Sequence, residues 1–324
     1  MASATYWGRY YKLTIKPPNG SAMVFETGSS KESMDIKFDV TYAIGQVARE
    51  GEVSILGLGF EHIHDLLSLS AMARGHAMSK MARLILEVGY YSTAGAVEIL
   101  NGFIWYGTVT SPPNMWITLK VSEVNVLGGK AVEIVQSKEV PLLEFMQYVC
   151  QQYHNVEGVP FSLYDNTEDQ ILEDEDEMVT FNSNGVITLH DCLQKLSKEL
   201  SNEVQFVLRT LSSDDTRVIE VFDKKDKKVA EGEVLVDKNH GLLSVSGIDC
   251  VSGCVTTFID GRCDDELCHL VLQSELNPEA NGRYYIKKKQ YVGHYLGNEW
   301  YVKYFCSAKE SQGTEEPDED DEDE

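Results

Sequence analysis

Four thiols gather in one short stretch, Cys250, Cys254, Cys263 and Cys268, and His269 follows the last of them directly. Thiolates with an imidazole at this density form the donor set of a structural zinc site. Their spacing argues against one. Common zinc sites pair cysteines across two residues, whereas here three, eight and four residues intervene. Cys250 and Cys254 share one side of a strand but lie too far along it to chelate unless the chain bends at Gly253. The four are therefore read as small hydrophobes in strand interiors, with no metal. His62 and His64 are a second candidate pair, but on a helix they point in nearly opposite directions. The acidic stretch 166–177 holds Glu168, Asp169, Glu173, Asp174, Glu175, Asp176 and Glu177. It lacks the alternating ligands, central glycine and distal glutamate of a calcium loop, and reads as a solvated charge run.

Catalytic patterns are missing. No G-x-S-x-G elbow, H-E-x-x-H helix or phosphate-binding loop occurs, and Gly57-Leu58-Gly59 precedes a helix without the third glycine of a dinucleotide turn. Carboxylates are so abundant that no pair stands out as general acid and base. The chain reads as no enzyme and as needing no cofactor.

Charge sharpens this. Fifty-two acidic against 28 basic residues give a net charge of −24. Binding a phosphate backbone needs Lys and Arg to release counterions, so nucleic acid is excluded as a specific ligand. Seven cysteines scattered over 324 residues do not form the framework of a small disulfide-stapled secreted domain. No apolar run is long enough to span a membrane, and residues 1–30 lack the basic start and apolar core of a signal peptide. Cytoplasmic synthesis is the expectation, with no membrane partner.

The elements that would position these residues are mostly strands. Tyr10–Lys16 and Ala22–Glu26 flank a Pro17-Pro18-Asn19-Gly20 turn. Met34–Tyr42 and Glu52–Leu58 alternate in strand period, and Phe60–Met72 then shifts to a short helix with Phe60, Ile63, Leu66 and Leu67 on one face. Met81–Tyr90, Gly102–Thr110 and Met115–Val124 return to strands. Pro141 opens an amphipathic helix through Leu142, Phe145, Met146, Val149 and Tyr153. Leu189, Leu193, Leu196 and Leu200 mark another helix, with Thr188 or Asp191 as its cap. Six further strands follow Glu203.

The stretch Asn277–Cys306 is a complete hairpin: Asn281-Gly282 and Gly297-Asn298 supply turns, and the two strands are aromatic on both faces. Its pattern of Gly282, Tyr284, Ile286, Gly293, Gly297, Glu299, Trp300 and Tyr301 resembles the closing strands of baseplate hub proteins of contractile-tailed bacteriophages, the Mu-like hubs. His294 stands where many hubs carry an acidic residue. The order Ile55, Leu58, Leu86, Val88, Gly89, Tyr90, Ile104, Gly107 and Val109 likewise resembles the tube-like barrels of phage tails, with Trp105-Tyr106 filling two positions where the pattern has one. The resemblance implies a mainly β (α+β) fold: a tube-like barrel over 1–135, a helix-containing middle domain over 136–203, a second barrel over 204–308, and a disordered acidic tail over 309–324. Gly89, Tyr90, Gly107, Gly282, Tyr284, Gly297, Trp300 and Tyr301 become its structural motif. It also implies a structural virion protein made in the host cytoplasm, a homotrimeric ring that joins the tail tube protein to the central spike. Its other neighbours would be the tape-measure protein and further baseplate proteins, and DNA would pass through its channel unbound. Two other classes stay open: a tail-associated cell-wall-degrading enzyme, and a free acidic nucleic-acid mimic or chaperone.

Overall fold

The computed structural model describes residues 8–27, 34–43, 49–68, 81–91, 95–123, 131–165, 167, 170–174, 177–200, 204–210, 216–223, 233–246, 253–259 and 269–309. The chain is mainly β. Seven strands come first: β1 (Arg9–Lys16), β2 (Met23–Glu26), β3 (Asp35–Ala43), β4 (Glu50–Leu56), β5 (Arg83–Tyr90), β6 (Ala96–Val109) and β7 (Trp116–Ser122). Among the described residues one helix, α1 (Phe60–Ser68), sits between β4 and β5. It buries Ile63 and Leu66, while Phe60, expected on the same face, is 73% exposed at the helix start.

The middle begins with β8 (Val132–Pro141), α2 (Leu142–Glu157) and β9 (Phe161–Asp165). It continues with β10 (Met178–Ile187), α3 (Leu189–Glu199), β11 (Val204–Thr210) and β12 (Arg217–Asp223). Both helices follow their sequence signals. Leu142, Phe145, Met146, Val149 and Tyr153 are buried on α2, which ends at Gly158 in the left-handed region (φ 74°), where its N–H donates to the His154 carbonyl at 2.8 Å. Thr188 caps α3 by accepting from the Asp191 N–H. Thr167 and Leu172, in the acidic stretch, are buried, and both donate backbone N–H groups to the Asp165 carboxylate. That part of the stretch is folded onto the core rather than simply solvated.

Six strands close the chain: β13 (Glu233–Val236), β14 (Leu242–Ser246), β15 (Gly253–Thr257), β16 (His269–Leu272), β17 (Gly282–His294) and β18 (Trp300–Lys309). They join β1–β7 in one 13-stranded sheet, whose main order is β14-β15-β18-β17-β3-β4-β7-β6-β5-β1-β2. The link is β17. Its first residues, Gly282 to Tyr285, pair with β16, which in turn pairs with β13, while Lys288 to His294 pair with β3. Its other side pairs with β18 along most of its length.

Neither of the two expected barrels is seen to close. Among the described residues no pairing closes either set of strands, and the two sets share one sheet and one hydrophobic cluster, from Tyr11 and Leu13 through to Val302 and Tyr304. Strand periodicity states which face a residue takes but leaves the neighbouring strand unspecified.

A second cluster holds α2 and α3 with residues of β8 to β12. β8 pairs with β10, and β12 lies between β11 and β9, parallel to the latter. Val204–Leu208 and Val218–Phe222, expected from sequence to open the second barrel, instead lie in β11 and β12 and join β9 through β12. Arg217 is buried there beside Phe161, with its guanidinium 2.8 Å from the Glu157 carboxylate.

Candidate functional site

The turn between β17 and β18 gathers long-range side-chain contacts from β1, β3 and β5. Trp300, first residue of β18, is 2% exposed. Its indole N–H donates to the Gly89 carbonyl at 3.1 Å, and the Tyr90 hydroxyl donates to the Trp300 carbonyl at 3.3 Å. The Phe38 ring meets the indole edge-on at 5.1 Å. Two motifs more than two hundred residues apart thus bond directly to each other.

Arg9 and Asp35 grip the turn itself. Nη1 of Arg9 reaches the carbonyl oxygens of His294 (2.8 Å), Tyr295 (3.1 Å) and Gly297 (2.5 Å), and its guanidinium lies 5.6 Å from the Trp300 ring centre. Three carbonyl dipoles converge on one cation, which offsets the repulsion among them. Asp35 takes His294 Nε2 at 2.8 Å on one oxygen and the Leu296 N–H at 3.1 Å on the other. The acid beside His294 thus comes from β3. Tyr11 braces the other side, with its hydroxyl on the Met34 carbonyl at 2.7 Å and its ring edge-on to Tyr295 at 5.1 Å. Burial pushes the Tyr11 hydroxyl up to about 12.

The glycines permit close approach. A Cβ on Gly297 would stand 2.2 Å from the His294 ring, one on Gly293 2.1 Å from the Phe38 ring, and one on Gly89 2.1 Å from the Gly95 carbonyl. Gly107 lies beneath α1, where a Cβ would stand 2.8 Å from Leu67. Of the eight motif residues, Gly89, Tyr90 and Trp300 meet, and Gly297 shapes the adjoining turn. Gly282 and Tyr284 lie at the far end of β17, Tyr284 buried with its hydroxyl on the Ala280 carbonyl at 2.6 Å. Tyr301 is half-buried on the opposite face, near Lys303. Arg9, Asp35 and Phe38 were missed, because nothing local in β1 or β3 marks a residue that serves a turn near the other end of the chain.

That opposite face is polar across many strands. Registered pairs run Thr256, Lys303, Gln290, Thr41 and Glu50 in one row and Tyr301, Val292, Asp39, Glu52, Lys120 and Tyr106 in the next. Lys120 pairs with Glu52 at 2.8 Å, and the Gln290 side chain donates to Asp39 at 2.9 Å. The rows that alternate with these hold Trp300, Phe38, Val53 and Leu119, and Val302, Tyr291, Val40 and Val121, all buried.

Residues 20–306 match the family model described as baseplate hub gp41. The chain belongs to this baseplate hub family. No curated protein matches the hub chain in sequence. Several solved structures share its fold. An Escherichia coli protein, c3393, is a component of the type VI secretion system described as similar to T4 bacteriophage tail proteins gp27 and gp5. It superposes with a TM-score of 0.57 at 11% identity, over 88% of the hub chain and 76% of its own. A tail protein from Neisseria meningitidis gives 0.55 at 8% identity over 94% and 97%, and the 43 kDa tail protein of prophage MuSo2 from Shewanella oneidensis gives 0.54 at 8% over 92% and 98%.

In the hub chain the thiol cluster lies mostly outside the described residues: Cys250, Cys263 and Cys268 do, and only Cys254 is seen, half-buried on β15. Burial raises its thiol pKa, with Lys303 opposing. Among the described residues no three His, Cys, Asp or Glu side chains come together as a metal site. His62 and His64 are both exposed on α1, on either side of the buried Ile63. Residues 310–324 of the acidic tail also lie outside the described residues.

Proposed function

We propose that this hub protein is a non-enzymatic virion subunit that assembles as a homotrimeric ring between tail tube and central spike, leaving a channel for DNA. The observation that carries the reading is the single 13-stranded sheet, with a buried apolar face, a polar face from β18 to β7, and three strands, β2, β13 and β14, that have one partner each among the described residues. A sheet with free edges is completed by a neighbouring copy, and a closed ring removes every edge at once. The polar face is then the channel wall. Lys37, Lys120, Lys288 and Lys303 alternate there with Asp39, Glu50 and Glu52, so the wall neither binds phosphates tightly nor presents a bare apolar surface to DNA. Docking to the tube, spike and tape-measure proteins would fall to the rims.

Light scattering on the purified protein, with negative-stain imaging, tests this. Expected are a mass three times the 36.3 kDa chain and rings with a central hole. A monomer at every concentration, also absent from purified particles, would remove the proposal and favour the free acidic binding protein.

A further inference from the structure

The middle unit contains a groove beside its three-stranded sheet. β9 lies at the end of its three-stranded sheet, with β12 on one side and no strand on the other among the described residues. Beside that open edge runs α2, antiparallel in the chain because Gly158 reverses direction between them. Between them lies a groove of about 570 Å³, with Leu143, Gln147, Cys150 and Gln151 as the helix wall and Phe161 and Leu163 as the strand wall. Leu143, Cys150, Phe161 and Leu163 are half-buried, and Gln147 and Gln151 are exposed. Its lining carries no Asp, Glu, Lys or Arg.

An open strand edge beside a helix offers a row of backbone donors and acceptors, and a cleft that takes alternate side chains of an added strand. Charge then selects the occupant. α2 and β9 run in opposite directions, so the Leu143 and Leu163 end of the groove lies toward Glu144, Asp165 and Glu177, the last residue of the acidic stretch, whose carbonyl accepts the Leu142 N–H. At the far end, by His154 and Pro160, the charges beside Phe161 are Arg217 and Glu157, which neutralise each other as a buried pair. The chain's own C-terminal segment, acidic at nine of its last ten positions, is repelled from such a site.

We infer that the groove between α2 and β9 binds an extended segment of another protein as an added strand. That segment carries apolar side chains at alternate positions and Lys or Arg at the end meeting the acidic stretch. The inference does not rest on the trimeric ring, since the groove is built within one chain.

A fluorescein-labelled octapeptide of alternating valine and threonine, preceded by two lysines, tests it against the full-length protein by fluorescence anisotropy at low ionic strength. Saturable binding is expected, weakened about tenfold or more when the lysines become glutamates or the valines become serines. Gln147→Trp, which fills the groove from an exposed position, should weaken binding about tenfold or more with unchanged melting. In the unsubstituted protein, amide exchange over residues 161–165 should slow when peptide is added, a readout that stands even if the variant folds poorly. Equal binding of the serine peptide would reduce the effect to charge and overturn the inference. So would absent binding, or unaltered exchange at 161–165. Self-association abolished by Gln147→Trp would give the groove to a second copy and overturn it as well.

Discussion

Arg9 and Asp35 lie far in sequence from His294 and Trp300, yet the four form one clasp. Trp300→Ala removes a buried ring packed on Phe38 and the indole bond to Gly89, and should cost about 3–5 kcal/mol. A denaturant titration measures it, and an unchanged midpoint would make Trp300 a surface contact. Gly297→Ala is a subtler probe. The added methyl meets the His294 ring and must displace it from Asp35, so the variant should lose about 1–3 kcal/mol. A double-mutant cycle with Asp35→Asn should show that most of this loss disappears once Asp35 is neutral. The aromatic strand and its glycines were legible in sequence because turns and strand period are local. Arg9 was not, since a lone arginine before a first strand gives no sign that it will serve a turn reached 288 positions later.

At the scale of elements, the helices were the most legible parts. The seam of α2 and the Thr188 cap of α3 follow from side-chain spacing and capping alone. The seven early strands were also visible, while their merger with the late ones was not, because β17 shows its aromatic residues without naming β3 and β16 as partners. Two helices and β1 carry a pH dependence. Burial pushes Cys150 on α2 and Cys192 on α3 up to about 12, from an ordinary value of 9, and Tyr11 from 10 to about 12. Each is held neutral in the folded protein above the pH at which the unfolded chain ionises. Their stabilisation is complete below about pH 9 and is lost as pH rises from 9 through 12. Chemical denaturation should give a clearly lower midpoint at pH 11 than at pH 8, and coincident curves would refute this reading of the buried thiols.

For the whole molecule, charge is the outstanding quantity. Nine of the ten residues Glu315–Glu324 are acidic, so losing them takes the formal charge from −24 to −15. Such a segment cannot bury apolar surface. Truncation after Gln312 should leave melting and oligomeric mass unchanged and alter only partner binding, particle assembly or DNA release, as size measurement and particle reconstitution would show. A truncated protein that fails to fold would make the tail part of the structure. Net charge, element types and the hub resemblance were all readable before any coordinates. The single sheet was not, because the pairing that unites it is long-range.

That pairing puts the molecule's assembly on a clock. Asp39 on β3 finds its partner Gln290 only 251 positions later. At about 5–20 residues per second, synthesis leaves that side of β3 waiting on the order of 10–50 seconds after β3 itself is made. During this interval an aggregation-prone strand edge is exposed on every ribosome translating the message. A nascent chain arrested near residue 280 should therefore be cut within β3 by protease, and one extended past residue 309 and released should resist.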